Sequence, residues 1–568
     1  MAVILLTFGF CAFFGMAQKS IPERLNYALE NQDMESGLRL YNEITNDDLK
    51  QLSDSVLFDY HYLGGYINSE IPNHEKAIFH LLEAKKLCDT TLGTHSGVYM
   101  EIVRGLGDEY AEMGRYEEAL GIYQEGIVKS SYMRVAASRD FGNLIMGVQQ
   151  CYERLGWFNE IPRHLTDAWS FWDKDEKPLV TYTYYPLWTL QQFYRRYEMY
   201  DKALQVSDSI ISFITEKGGS NHPELAEALY NKANTLVDMG KSKDAIRVFR
   251  QGMSILEGNK MEVSNETYGM IMGNLLMALV SSNKTDDVHI ILKDIKDYGK
   301  RTNNPSFYKN ALFSAVKRYN TIGDYTQALS LSKVLSGLDF TEQEKEILAK
   351  LTNEIEYNNE ITSSLPQLES QFTSLTKGSP EWFDIAHKLS NAYYLNKRLE
   401  NNHEVLKSMY ETCIANPVAG SDYLFWVLIN LYGNALESER FNDALTYANS
   451  RLQYLSSMPD APEDYVFYAV NDIVVAKLKS KQLTDIDADL DRAISLCTKV
   501  FGKGTSNYGI CLHNKGRAYQ LSGKLIEAKQ LYLEAIALQT KEAGYSTNRT
   551  VQYLMETERQ ITDEELDL

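Results

Sequence analysis

Proline is scarce in this chain, 12 of 568 residues, so long helices can run without interruption and proline-rich linkers are excluded. Alternating β-branched runs bounded by turn residues hardly occur either, which excludes a β-sandwich or barrel. Positive charge is in deficit: 57 Lys and Arg face 77 Asp and Glu, a formal net charge of -20. That balance repels nucleic acid and anionic lipid as general partners. Cysteine is too sparse for a disulfide framework. Beyond Cys11 there are five, Cys88, Cys151, Cys413, Cys497 and Cys511, an odd and widely spaced set near apolar helix positions that reads as small core residues.

Long apolar runs are missing after the first residues. The opening MAVILLTFGFCAFFGMAQKS holds one uncharged apolar run, with Gly15 and Ala17 at the -3 and -1 positions of a cleavage site before Gln18. We expect a signal peptide over 1–17 and export to the periplasm, the cell envelope or the exterior. The run falls short of the roughly 20 residues of a membrane span. No integral span is expected once the signal is removed.

What the chain does have is a period. A small or anchoring residue returns at Ala77, Ala119, Ile161, Ala203, Ala245 and Asp287, each 42 positions on, and then at Ala328. Only an architecture that repeats its close-packing contact once per unit has reason to keep such a step. In IVRGLGDEYAEMGRYEEALGIYQEGIVKS, Val103, Leu106 and Tyr110 mark one helix face, Gly114 closes it, and Ala119, Tyr123 and Gly126 line a second helix. Gly107 and Ala119 are small where the two helices cross. The same offsets recur at Leu229, Ala233, Leu236, Gly240, Ala245 and Phe249, and at Gly516, Tyr519, Gly523, Ala528, Tyr532 and Ala535.

Between Ala328 and Ala444 the phase shortens. Leu365 and Val405 serve as intermediate anchors, dividing the stretch into steps of 37, 40 and 39, and the step of 42 returns through Ile486 to Ala528. The predicted fold is all-α, a right-handed α-solenoid (superhelix) of about twelve antiparallel helix pairs. We expect an N-terminal array over 18–340, irregular middle repeats over 341–410, a C-terminal array over 411–543, and a polar tail or capping helix over 544–568.

The pattern Leu-Gly-x-x-Tyr, Gly, Ala-x-x-x-Phe/Tyr-x-x-Ala/Gly resembles tetratricopeptide repeats. The 42-residue spacing exceeds the usual 34 and is similar to the variant of kinesin light chains, in which a stretch resembling Leu-Gly-x-x-His-Pro precedes each first helix. LGTHSGVY at 92–99, GGSNHPELA at 218–226 and FGKGTSNYG at 501–509 carry that likeness. With the apolar leader, the resemblance implies an exported bacterial repeat protein that binds a protein or extended peptide in the groove lined by its first helices.

Chemistry is hard to find. The ten histidines are scattered, and His74 and His80 fall six apart, outside the spacing of a helix-borne metal pair, so they are expected at surface or capping positions. DIDADLD at 485–491 lacks the glycine and glutamate of a calcium loop, and its carboxylates are expected to cap a helix and line its solvated face. No GxGxxG, GxxxxGK[ST] or GxSxG occurs. No cofactor, metal or catalytic residue is assigned. Counting from the alanine anchors, Asn231, Asn234, Asn274, Asn430 and Asn514 should face the groove, where amides either clamp a peptide backbone or support neighbouring helices. The aromatic stretch from Trp169 to Tyr200 is a second candidate, because Tyr182, Tyr184 and Tyr185 sit in a predicted loop with no evident burial role. The expected function is a non-catalytic protein- or peptide-binding scaffold of the cell envelope. The alternatives are a regulatory or sensory arm of a signalling or proteolytic system, and a hydrolytic enzyme with its site assembled between repeats.

Overall fold

A computed structural model describes residues 20–24, 34–91, 97–132, 139–170, 183–541 and 546–566. The expected signal segment lies outside them. Among the described residues there is no strand. The chain divides into two compact units, one of residues 1–194 with 205–220 and one of residues 195–204 with 221–568.

The first unit opens with α1 (Met34–Glu43) and the single turn α2 (Asn46–Leu49). The pairs α3 (Asp54–Glu70) with α4 (His74–Thr91), α5 (Gly97–Glu112) with α6 (Tyr116–Tyr132), and α7 (Arg139–Leu155) with α8 (Glu160–Ser170) follow. Helices α9 (Tyr185–Arg196) and α10 (Tyr200–Gly218) carry the boundary. In the second unit come α11 (Glu224–Asp238) with α12 (Ser242–Gly258), α13 (Glu266–Ser281) with α14 (Thr285–Arg301), and α15 (Pro305–Ile322) with α16 (Tyr325–Ser336). Then follow α17 (Glu342–Ser363) with α18 (Leu365–Ser374), α19 (Pro380–Leu395) with α20 (Leu399–Ala415), and α21 (Pro417–Glu437) with α22 (Phe441–Ser456). The last are α23 (Glu463–Ser480) with α24 (Ile486–Val500), α25 (Ser506–Leu521) with α26 (Leu525–Gln539), and the terminal α27 (Asn548–Leu566). Among the described residues, α3 to α26 form twelve antiparallel helix pairs, about the number expected.

The turn inside each pair explains the period. Gly114 has φ +73°, and its N–H donates to Ala111 O at 2.9 Å while the Arg115 N–H reaches Tyr110 O at 2.9 Å. These two bonds are a Schellman closure, which satisfies the last carbonyls of the first helix and reverses the chain into the second. Left-handed residues recur at 114, 156, 198 and 240, each 42 apart, then at 283 and 323, and again 42 apart at 397, 439, 481 and 523. Half of them are not glycine: Glu198, Asn283, Lys397, Glu439 and Lys481 hold φ between 53° and 59°. A reading keyed to Gly therefore sees only half of these turns.

The anchor is the fourth residue of most second helices; in α8 and α24 it is Ile161 and Ile486, the second and first residues, both buried. Ala77, Ala119, Ala203, Ala245, Ala328, Ala444 and Ala528 are all fully buried. Three expected anchors need correction. Asp287 is half-buried and accepts Arg250 at 3.0 Å, whereas the neighbouring Val288 enters the core. Leu365 and Val405 are buried, but the fourth residues of α18 and α20 are Leu368 and Asn402, each three positions away. The steps from Ala328 to Leu368, Asn402 and Ala444 are then 40, 34 and 42, so the shortening is concentrated in one unit of ordinary repeat length. Asn402 escaped notice because it is polar; it is 4% exposed and accepts Ser390 Oγ–H at 2.7 Å, a bond that offsets its burial.

Close approach at the crossing has a concrete measure. A Cβ on Gly107 would lie 2.3 Å from the Tyr123 ring, and one on Gly516 2.8 Å from the Tyr532 ring. A side chain there would force the rings off their rotamers.

Candidate functional site

The first helices of the second unit meet edge to edge, and polar side chains one repeat apart join them. Asn274 on α13 donates to Asn234 Oδ1 at 2.7 Å and to the Tyr230 hydroxyl at 3.2 Å, both on α11. Arg318 on α15 donates to Ser281 Oγ at 2.8 Å. On α17, Glu354 accepts Asn320 of α15 at 2.8 Å. Tyr423 on α21 donates to Asp384 of α19 at 2.7 Å and stacks on Phe383, while Trp426 meets His387 edge-on at 4.3 Å. Asn514 on α25 donates to Asn471 of α23 at 3.0 Å.

Along the same stripes apolar side chains remain in solvent. Helical periodicity places residues three, four or seven apart on one face. Met270 lies one turn before Asn274, Tyr357 follows Glu354 by three, Tyr394 follows His387 by seven, Ile429 follows Trp426 by three, and Tyr468 precedes Asn471 by three. All five are exposed, between 39% and 51%. A wall fixed by inter-helix hydrogen bonds and carrying spaced, exposed apolar groups offers rigid contact area at little ordering cost.

The expected amides fall into this wall in different ways. Asn231 and Asn234 are buried, Asn274 is half-buried, and Asn514 is buried, so the last three spend donors or acceptors on neighbouring helices. Asn430 donates to the Trp426 carbonyl of its own helix at 2.8 Å. The aromatic loop requires a correction. Tyr184 is 4% exposed, packed beside Phe213, because the chain turns inward to start α9. Tyr185 is half-buried, against Trp188. Tyr182 lies outside the described residues. Residues that sequence periodicity did not single out, chiefly Tyr423, Trp426, His387, Asp384 and Asn471, link the first helices instead. Their signal was helical spacing back from left-handed turns that are themselves lysine and glutamate: ten residues for His387 and Asn471, thirteen for Asp384 and Trp426, sixteen for Tyr423.

Buried ionisable groups are structural partners. Arg451 on α22 donates to Asp472 on α23 at 2.7 Å, and the Tyr432 hydroxyl donates to the Asp472 carbonyl at 3.3 Å. Burial pushes the Asp472 carboxyl up to about 6, although Arg451 pulls against that. In the first unit, His80 is a second correction: it is buried, not superficial, with His61 Nδ1 at 3.0 Å and the Tyr41 hydroxyl at 2.8 Å from Nε2. Burial and the neighbouring imidazole lower the His80 pKa to about 4. Within 485–491, Asp485 makes no side-chain cap, whereas Asp489 pairs with Lys477 at 2.6 Å and Asp491 with Lys515 at 3.0 Å. Among the described residues, no group of three or more His, Cys, Asp or Glu is placed to hold a metal, and no helix is long and apolar enough to cross a membrane.

Stacked antiparallel helix pairs with a fixed crossing residue and turn define a helical repeat protein. Two segments match family models described as tetratricopeptide repeat, residues 226–255 and residues 510–546. Those two segments are similar to tetratricopeptide repeats. No curated protein matches it in sequence. Among solved structures it is similar to a kinesin light chain of nearly identical TPR-like repeats from Podosopora anserina, at 14% identity over 41% of this chain and 96% of that one, TM-score 0.28. It is also similar to a Rap protein complexed with competence and sporulation factor, at 12% identity over 68% of this chain and 99% of that one, TM-score 0.29.

Proposed function

We propose that this protein is a non-catalytic scaffold that holds a protein or extended peptide along the first helices of its second unit. One observation carries the reading. Exposed Met270, Tyr357, Tyr394, Ile429 and Tyr468 recur on the stripes that the inter-helix hydrogen bonds hold in place. Spaced apolar anchors on a pre-organised surface suit a ligand that presents side chains at intervals along an extended backbone. The polar groups beside them, His387 and Asn430, supply orientation more than affinity.

Selection of peptides from a display library against the full chain tests this reading. Tyr394→Ser and Tyr468→Ser are each expected to weaken the selected peptide about tenfold, about 1.4 kcal/mol, with the melting temperature nearly unchanged. Unchanged affinity in both variants would remove the first-helix wall as the site.

We further propose that the scaffold works outside the cytoplasm, in the cell envelope. The apolar run before Gln18, with Gly15 and Ala17 at cleavage positions, supports that placement. Fractionation of expressing cells, with N-terminal sequencing of the mature chain, tests it; a cytoplasmic chain that retains Met1 would contradict it.

A further inference from the structure

Two of the five described cysteines face each other. Cys497 lies near the end of α24 and Cys511 in the second turn of α25, each seven residues from Gly504 in the connecting turn. In an antiparallel hairpin, residues equidistant from the turn come opposite one another. Here both thiols are sealed, 0% and 1% exposed, in one cluster with Phe467, flanked by Phe501 and Tyr508. Cys88, Cys151 and Cys413 are buried on other helices, and burial holds the Cys151 and Cys413 thiols up at about 11. A pair of adjacent thiols across two helices is a different object from a buried cysteine used as a small hydrophobe.

We propose that Cys497 and Cys511 are a redox modification site: they close a reversible disulfide that staples α24 to α25, joining the second helix of one repeat to the first helix of the next. The oxidant is a disulfide of the glutathione class or a dithiol–disulfide exchange protein. Cys497, whose thiol is favoured toward the thiolate by its neighbour Cys511, gives its proton to solvent and attacks one sulfur of the oxidant; its S–S bond breaks and one thiolate leaves, taking a proton from water. Cys511 then gives its proton to solvent and attacks Cys497 Sγ, and the second thiol of the oxidant departs. Two thiol hydrogens and two electrons pass to the oxidant, which becomes two thiols. Because both sulfurs are sealed, the reaction proceeds at the rate at which the α24/α25 joint opens locally.

The test uses the full chain with glutathione disulfide in urea below the unfolding transition. Alkylation under denaturing conditions, tryptic digestion and mass spectrometry then read the pairing. The expected result is a linked pair of peptides containing Cys497 and Cys511, two hydrogens lighter than the sum of the separate peptides, with Cys88, Cys151 and Cys413 alkylated. Oxidation should also slow amide exchange in α24 and α25, and dithiothreitol should reverse it. Cys511→Ser should instead trap Cys497 as a mixed disulfide with glutathione. Free, alkylated thiols at both positions, or linkage of either to any other cysteine, would overturn the proposal.

Discussion

Pairs α25/α26 and α17/α18 belong to the same unit and do the same job by different means. In α25/α26, Gly516 lies under the Tyr532 ring, Gly523 makes the left-handed turn at φ +77°, and Ala528 and Ala535 are fully buried. In α17/α18 there is no left-handed turn: Ser364, at φ −82° and ψ 0°, ends one helix and starts the next, with a proline in the first turn of α18. Helix α17 runs 22 residues and α18 only 10. Their buried residues are Leu348, Ile355 and Ile361, then Leu365 and Leu368, all large, whereas the other pair places Gly516, Ala528 and Ala535 among its large ones. The lesson is that stacking does not require one crossing distance. A small residue with a Schellman turn brings the helices close, and a long helix with branched side chains fills a wider gap.

The largest expected effect falls on the close crossing. Gly516→Val should cost about 3 kcal/mol in urea unfolding, since the new side chain meets the Tyr532 ring. A loss well under about 1 kcal/mol would show that the crossing can relax.

Acid should separate the same two regions. His513 on α25 is held near neutrality by burial and by Arg549 and Arg517, with its pKa lowered to about 4, while α17 and α18 contain no histidine. The unfolded state binds the proton first, so this contribution is intact above about 6.5 and is lost as pH falls from there towards 4. His80 and His164, each lowered to about 4, add the same sign in the first unit, and Asp472, raised to about 6, opposes it. Amide exchange at pH 5 against pH 7, corrected for intrinsic rate, should accelerate in α25 and α26 more than in α17 and α18. Equal acceleration would remove His513 as the cause.

Turn chemistry comes next in size. Gly240→Ala should cost about 1 to 2 kcal/mol, because an L-residue is strained in the left-handed region, and Lys481→Gly should recover up to about 1 kcal/mol. Ser364→Gly has no such strain to relieve and should destabilise by a few tenths up to about 1 kcal/mol. An effect of similar size is expected at the capping box of α17, where Thr341→Ala should cost about 0.5 to 1 kcal/mol, confined to that helix. Urea midpoints measured on the four variants order these effects.

Much of this contrast was legible in the sequence, and the rest was hidden by chemistry that looks wrong for its place. Alanine and glycine anchors marked the close crossings because no other residues fit there. Asn402 did not register as an anchor, since a buried amide is recognisable only once Ser390 is seen beside it. Lys397, Glu439 and Lys481 did not register as turns, because tertiary packing imposes on them a conformation their own preferences resist. Asn234, Asn274 and Asn514 sit on first helices, and the partners that consume their hydrogen bonds lie a full repeat away and cannot be read locally. Tyr184 was misread as an open loop residue for the same reason: Phe213, its cover, lies 29 positions on.

The most direct test is photo-crosslinking of a display-selected peptide carrying a diazirine to the full chain, with the labelled residues mapped by mass spectrometry. The account predicts labels on the first helices of the second unit, at or beside Met270, Tyr394, Ile429 and Tyr468. Labels confined to second helices such as α12, α16 and α22 would contradict it.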